Sequence, residues 1–146
     1  MPERPSALSV TCVLWLLNSA IGARVAVKEG LPAEWVADLY VGRDASAEFF
    51  KGSGTALSPG LPMMVAQALF TVLSARGGKA GKSGAVGLTL LGVGGTIGVL
   101  AETITYRALS PNAFDAVKAP IVLSALVFNP LMAVLGVRRL GALWSR

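Results

Sequence analysis

The run from Gly84 to Ile104, GAVGLTLLGVGGTIGVLAETI, holds a single ionisable side chain, Glu102, close to its end. A helix that crosses a bilayer needs about 20 predominantly apolar residues, because only a closed hydrogen-bonded backbone passes through hydrocarbon without stranding polar groups. A soluble amphipathic helix would instead carry charge on one face every three or four residues. The run therefore reads as a membrane span. Three further stretches, at about 8–27, 57–75 and 119–137, read the same way, with Arg24 the one other ionisable residue, again near an end. The expected fold is all-α, an integral membrane four-helix bundle forming a single domain over 1–146. Its one long connection, 28–56, is expected to lie outside the cytoplasm between the first and second helices.

Composition agrees with a lipid solvent. Of the 146 residues 14% are charged, against about 25% in soluble domains, and mean hydropathy is +0.63. There is no His and a single Cys, Cys12. Histidine triads, His-ligated metals, CxxC redox pairs and disulfides within one chain are thereby excluded. No metal site and no catalytic residue is assigned, and no cofactor is named by the residues.

The net charge of +5 is sorted by side. Arg4, Arg76, Lys79, Lys82, Arg138, Arg139 and Arg146 face one acid, Glu3, on the side of the termini and the second connection. Opposite, Arg24, Lys28, Arg43, Lys51, Arg107 and Lys118 are answered by Glu29, Glu34, Asp38, Asp44, Glu48, Glu102 and Asp115. The positive-inside bias then puts both termini in the cytoplasm of a multi-pass protein of the cell membrane. The basic charge is explained by topology and calls for no nucleic acid. A signal peptide competes for residues 1–22, with Ser19, Ala20, Gly22 and Ala23 as small residues near a cleavage point. The long apolar stretch and Pro2 and Glu3 favour a retained span.

Within the long connection, Pro32 is placed to open a short helix through Tyr40, and Trp35, Tyr40, Phe49 and Phe50 suit a membrane interface. Two glycine-rich motifs imitate nucleotide sites. Arg76-Gly77-Gly78-Lys79-Ala80-Gly81-Lys82-Ser83 ends like a phosphate-binding loop, but Arg76 stands where that motif needs its first glycine, and an apolar helix leads in. It reads as a flexible basic turn able to attract anionic lipid headgroups. Gly92-Val93-Gly94-Gly95-Thr96-Ile97-Gly98 lies inside a span, where Gly94 and Gly98 form a GxxxG pair that lets a neighbouring helix approach.

Each span carries one small or weakly polar stripe: Thr11, Trp15, Asn18 and Gly22; Met63, Gln67, Phe70 or Thr71, and Ser74; Gly87, Leu91, Gly94, Gly98 and Glu102; Ala125, Asn129, Ala133 and Gly136. Lipid cannot hydrogen-bond an amide, so these faces should turn inward. Asn18, Gln67 and Asn129 fall near mid-span, level with Gly94 and Gly95. They form either an interhelical polar layer, bonded to one another or to backbone, or the lining of a pocket for a lipophilic ligand. Pro130 frees the carbonyl of Leu126, a target for Asn18 or Gln67. Glu102 is expected at the outer interface, either paired with Arg24, Arg107 or Lys118 in a charge cluster or gating a pocket or carrying a proton.

Four spans with a sizeable loop after the first resemble the layout of DoxX-type small bacterial membrane proteins. The resemblance is one of architecture and carries no activity or residue role. The leading functional expectation is a non-catalytic membrane protein, in contact with membrane lipids, that binds a lipophilic small molecule or a partner membrane protein. A small membrane enzyme or redox accessory using Glu102 as acid or base is second. A homo-oligomeric transporter is third, since no ionisable residue stands at mid-span.

Overall fold

A computed structural model describes residues 6–52 and 54–145. The described chain is mostly helical, with α1 Ala7–Glu29, α2 Ala45–Lys51, α3 Leu61–Ser74, α4 Gly78–Ala101, α5 Thr103–Leu109 and α6 Lys118–Trp144. Strands β1, Gly54–Thr55, and β2, Ser58–Pro59, form a minimal antiparallel hairpin before α3. Residues 1–5, where the leader question partly rests, lie outside the described residues.

Local chemistry sets the helix ends. The Ser6 hydroxyl accepts from the Ser9 N–H at 3.1 Å to start α1, and Gly30, in the left-handed region at φ 65°, ends it. Pro62 sits in the first turn of α3, where its missing N–H costs nothing. One oxygen of Asp115 accepts from the N–H groups of Val117 and Lys118, each at 2.9 Å, and caps α6.

Three helices, α1, α4 and α6, are long and apolar enough to cross a membrane. The stretch expected as a second span is shorter than read. Its helix is the 14-residue α3, about 21 Å long at 1.5 Å per residue, because residues 57–60 belong to the hairpin and the helix N-cap. Two other boundaries move outward. Helix α4 begins at Gly78, so most of the expected basic turn is helix, and α6 runs on to Trp144 with Arg138 and Arg139 on it.

Helices α1, α3, α4 and α6 touch in cyclic order, α4 against α6 most extensively. Their facing sides are mostly small or weakly polar, with a few large residues such as Leu88 and Met132, and their outward sides are large and apolar. Val13, Leu17 and Ile21 on α1, Val65 and Leu69 on α3, Leu90 and Ile97 on α4, and Val127 and Val134 on α6 are all exposed. A water-soluble monomer rarely shows such a continuous apolar surface. Inside, Cys12, Leu88 and Met132 are fully buried in one cluster, and Ala26, Leu57, Ala108 and Val122 form a second one toward the loop.

Glycines decide where helices come closest. A Cβ built on Gly84 would lie 2.3 Å from the Ser74 nitrogen, and one on Gly92 would lie 2.6 Å from the Ala133 nitrogen. Gly94 and Gly98 behave differently. Among the described residues nothing lies within 4 Å of a Cβ at either position, so the expected GxxxG contact is not made there and the packing role passes to Gly84 and Gly92.

The two ends of the helices are tied by charge. At one end Lys118 bridges Glu29 at 2.8 Å and Asp115 at 2.5 Å. At the other, Arg139 donates to the carbonyls of Ser74 at 3.0 Å and Arg76 at 3.1 Å, satisfying the last turn of α3, while the Lys82 ammonium stands 5.0 Å over the Trp144 ring.

Candidate functional site

The connection between α1 and α3 folds back over the helix ends. No helix runs from Pro32 to Tyr40. Pro32 pairs with Thr55 in an isolated bridge, and the segment holds a single 3-10 turn, Val36–Asp38, in which Ala37 and Asp38 have φ of 58° and 52°. Those left-handed residues end any α-helix begun at Pro32. Glu48 on α2 organises the loop instead: its carboxylate accepts from the backbone N–H of Ala33 at 3.2 Å and Arg43 at 2.8 Å, and from the Tyr40 hydroxyl at 3.3 Å.

The loop is stitched to the junction of α4 and α5. Glu102 has extended backbone, φ −72° and ψ 128°, and stands one residue beyond α4. Its carboxylate accepts from the Glu34 N–H at 3.0 Å, while the Thr103 N–H donates to the Glu34 carbonyl at 2.8 Å and Arg107 reaches the Glu34 carboxylate at 3.3 Å. The expected ion pairs of Glu102 do not form: Arg107 is taken by Glu34, Lys118 by Glu29 and Asp115, and among the described residues no base pairs with Glu102. Burial pushes its pKa up to about 7, partly offset by hydrogen bonds from the Glu34 backbone and the Trp35 side chain, with Glu34 and Glu48 adding repulsion.

Below Glu102 a cavity of about 120 Å³ runs between α1, α4 and α6. One wall is the bare backbone of α4 at Gly94, Gly95 and Gly98; opposite stand Trp15, Asn18 and Ser19 of α1 and Ile121, Val122, Ala125 and Asn129 of α6. Trp35 and the hairpin, through Thr55 and Ser58, close the loop side, and Met63 of α3 and Leu91 and Val99 of α4 also line it. Asn18, Gly94, Gly95, Glu102 and Asn129 thus share one cavity. Gln67 does not line it.

The amides are not bonded to one another, nor to the Leu126 carbonyl. Each ties a helix pair on its own. Trp15 Nε1 donates to Asn129 Oδ1 at 2.6 Å, and Asn129 Nδ2 donates back to the Ala125 carbonyl at 2.9 Å. Asn18 Nδ2 donates to the Ile121 carbonyl at 3.1 Å, and Gln67 Nε2 to the Cys12 carbonyl at 3.3 Å. Gly95 faces Asn129 so closely that a Cβ there would lie 2.1 Å from Oδ1.

Gln67 is fully buried and its Oε1 has no hydrogen-bond partner among the described residues. An unsatisfied buried carbonyl costs about 1–3 kcal/mol, while the bond lost with Nε2 is worth about 1 kcal/mol. The Gln67→Leu protein is therefore expected to unfold at the same temperature as the parent or a higher one. A drop in Tm in detergent would show instead that the carbonyl is satisfied by bound water.

Neither a protein family nor a curated protein nor a solved structure matches this chain. Trp35, Thr55 and Ser58 were not among the sequence candidates, because they reach the cavity through loop folding that depends on backbone bonds. The clue available was the turn-rich spelling Ser58-Pro59-Gly60, which favours a hairpin next to the apolar run.

Proposed function

We propose that the protein is a non-catalytic multi-pass membrane protein that holds a lipophilic small molecule in the cavity beneath Glu102. The observation that carries this reading is the open strip at Gly94 and Gly98, where a helix otherwise packed through its glycines leaves room instead of contact. Apolar walls with a few convergent polar groups suit a ligand taken up from the bilayer. The exposed apolar faces of α1, α3, α4 and α6 meet acyl chains in this reading, and the short α3 spans with help from the hairpin.

Both termini and the Arg76–Lys82 segment face the cytoplasm by the positive-inside bias, and the loop of 28–60 covers the outer end. Cysteine placed at Asp44 is expected to react with an impermeant maleimide in intact cells, and cysteine at Lys79 after permeabilisation alone. The reverse pattern would invert the topology.

Native mass spectrometry in mild detergent tests occupancy. The parent protein is expected to carry a co-purifying lipophilic mass, and Gly98→Leu, which points a side chain into open space, is expected to lose it while keeping its Tm. A bare parent protein, or full occupancy in the variant, would overturn the cavity reading. A second reading, Glu102 as acid or base in a membrane enzyme, is favoured by its titration near neutrality inside a cavity.

A further inference from the structure

A second depression lies on the outward face of the bundle, at the far end of α4 from Glu102, where α3, α4 and α6 meet. It is an open groove of about 390 Å³. Gly87 sets its floor: a Cβ there would lie 2.5 Å from the Phe70 ring, so the missing side chain lets that ring of α3 rest on α4. Val86 and Leu90, 40% and 66% exposed, and Leu140 of α6 make its sides apolar.

One end of the groove is charged. There Lys82 holds its ammonium 5.0 Å over the Trp144 ring. Trp144 is 72% exposed, and its Nε1–H has no acceptor among the described residues. Neither α3 nor α4 nor α6 contains an Asp or Glu, and among the described residues no carboxylate pairs with Lys82. Arg76, Lys79 and Arg138, at the same helix ends, are exposed and likewise without an acid among the described residues. No side chain caps the first turn of α4, which adds its own partial positive charge. Positive potential at this end is therefore uncompensated, whereas at the other end Lys118 and Arg107 meet carboxylates.

Length and setting narrow the occupant. Lys82 and Leu90 stand about 12 Å apart along α4 at 1.5 Å per residue, close to the depth of one leaflet, about 15 Å of a hydrocarbon core of about 30 Å. A groove on a lipid-facing surface is filled by acyl chain, and a Trp and a snorkelling Lys at its mouth belong at headgroup level. A second copy docked about a two-fold axis would set these bases against their own images. An anionic headgroup instead meets both the ammonium and the free indole N–H.

We propose that this groove binds one anionic phospholipid, its phosphate at Lys82 and Trp144 and an acyl chain running past Val86 toward Leu90 over Phe70. The proposal rests on the membrane reading and does not involve the cavity beneath Glu102.

Native mass spectrometry of the full chain in mild detergent, titrated with dioleoyl phosphatidylglycerol or dioleoyl phosphatidylcholine, tests it. One phosphatidylglycerol is expected to be retained at least tenfold more tightly than phosphatidylcholine. Lys82→Gln is expected to bring the two within threefold, while Arg138→Gln, which removes a base that does not line the groove, keeps at least half of the preference. Val86→Trp, filling the groove from an exposed position, is expected to weaken both lipids about tenfold with Tm unchanged. Gly98→Leu is expected to bind as the parent does. Equal retention of the two lipids by the parent, or equal losses in Lys82→Gln and Arg138→Gln, would overturn the assignment in favour of diffuse charge. Loss in Gly98→Leu would move the lipid to the cavity beneath Glu102, and a lipid-free dimer would give the groove to a second copy. A protein that stays in solution without detergent and retains neither lipid would bring down the membrane reading itself.

Discussion

Alanine at Gly84 is expected to lower the stability of the helix packing sharply. Its Cβ would stand 2.3 Å from the Ser74 nitrogen, 2.7 Å from the Phe70 carbonyl oxygen and 2.8 Å from the Leu73 carbonyl carbon, all backbone atoms of α3. Backbone cannot swing aside as a side chain can, so α3 and α4 must separate along their contact. Overpacking of this kind costs up to about 3 kcal/mol, and here a whole helix must move. Gly98→Ala is the matched control: the same helix and the same change, with nothing within 4 Å of the new Cβ. There alanine gains about 0.5–1 kcal/mol from helix propensity alone. Thermal unfolding in one detergent should therefore put Gly84→Ala well below the parent and Gly98→Ala at or above it. Equal Tm values for the two variants would show that α3 does not sit where this packing requires.

That contrast also shows what the amino-acid order could and could not reveal. Gly84, Gly87, Gly94 and Gly98 all fall at helical spacing, and spacing alone assigned packing to the last pair. Which glycine meets a neighbour depends on where α3 and α6 cross α4, and their crossing points are set by the partners. The apolar spans were legible because the solvent dictates them: length and missing charge marked α1, α4 and α6 before any contact was known. The 57–75 stretch misled for the same reason, since hydropathy does not distinguish a hairpin of Thr55 to Pro59 from the first turns of a helix. The inward turn of Asn18, Gln67 and Asn129 followed from the cost of an amide in lipid. Their actual partners did not, because the Ile121 and Cys12 carbonyls and the Trp15 indole are supplied by the tertiary arrangement. Glu102 was singled out for its position, yet its principal donor is a backbone N–H of Glu34, which leaves no trace in side-chain identity.

Glu102 gives the second large effect, in the pH dependence of stability. Its pKa in the folded protein is about 7 against 4.5 for the unperturbed group, so between those values the folded state holds a proton that the unfolded state has released. Stability then falls as pH rises. Below about 4.5 both states are protonated and the fold bears no penalty; above about 7 it carries the full cost of a buried carboxylate, on the order of 2 kcal/mol after discounting for solvent that reaches the group. The neighbouring charges do not cancel this trend. Glu34 is already engaged by Arg107 and, like Glu48, adds repulsion. Asp115, drawn down to about 2 by its side-chain bond to Lys118 and by the N–H groups of Lys118 and Val117, stays charged throughout the window. Glu102→Gln is isosteric and keeps an oxygen for the Glu34 N–H. Its Tm is expected to be nearly flat from pH 5 to 8.5, to match the parent near pH 5, and to exceed it at pH 8. Parallel profiles would place the neutral titration elsewhere, and a variant less stable at pH 8 would mean that the carboxylate charge itself holds the loop down on α4.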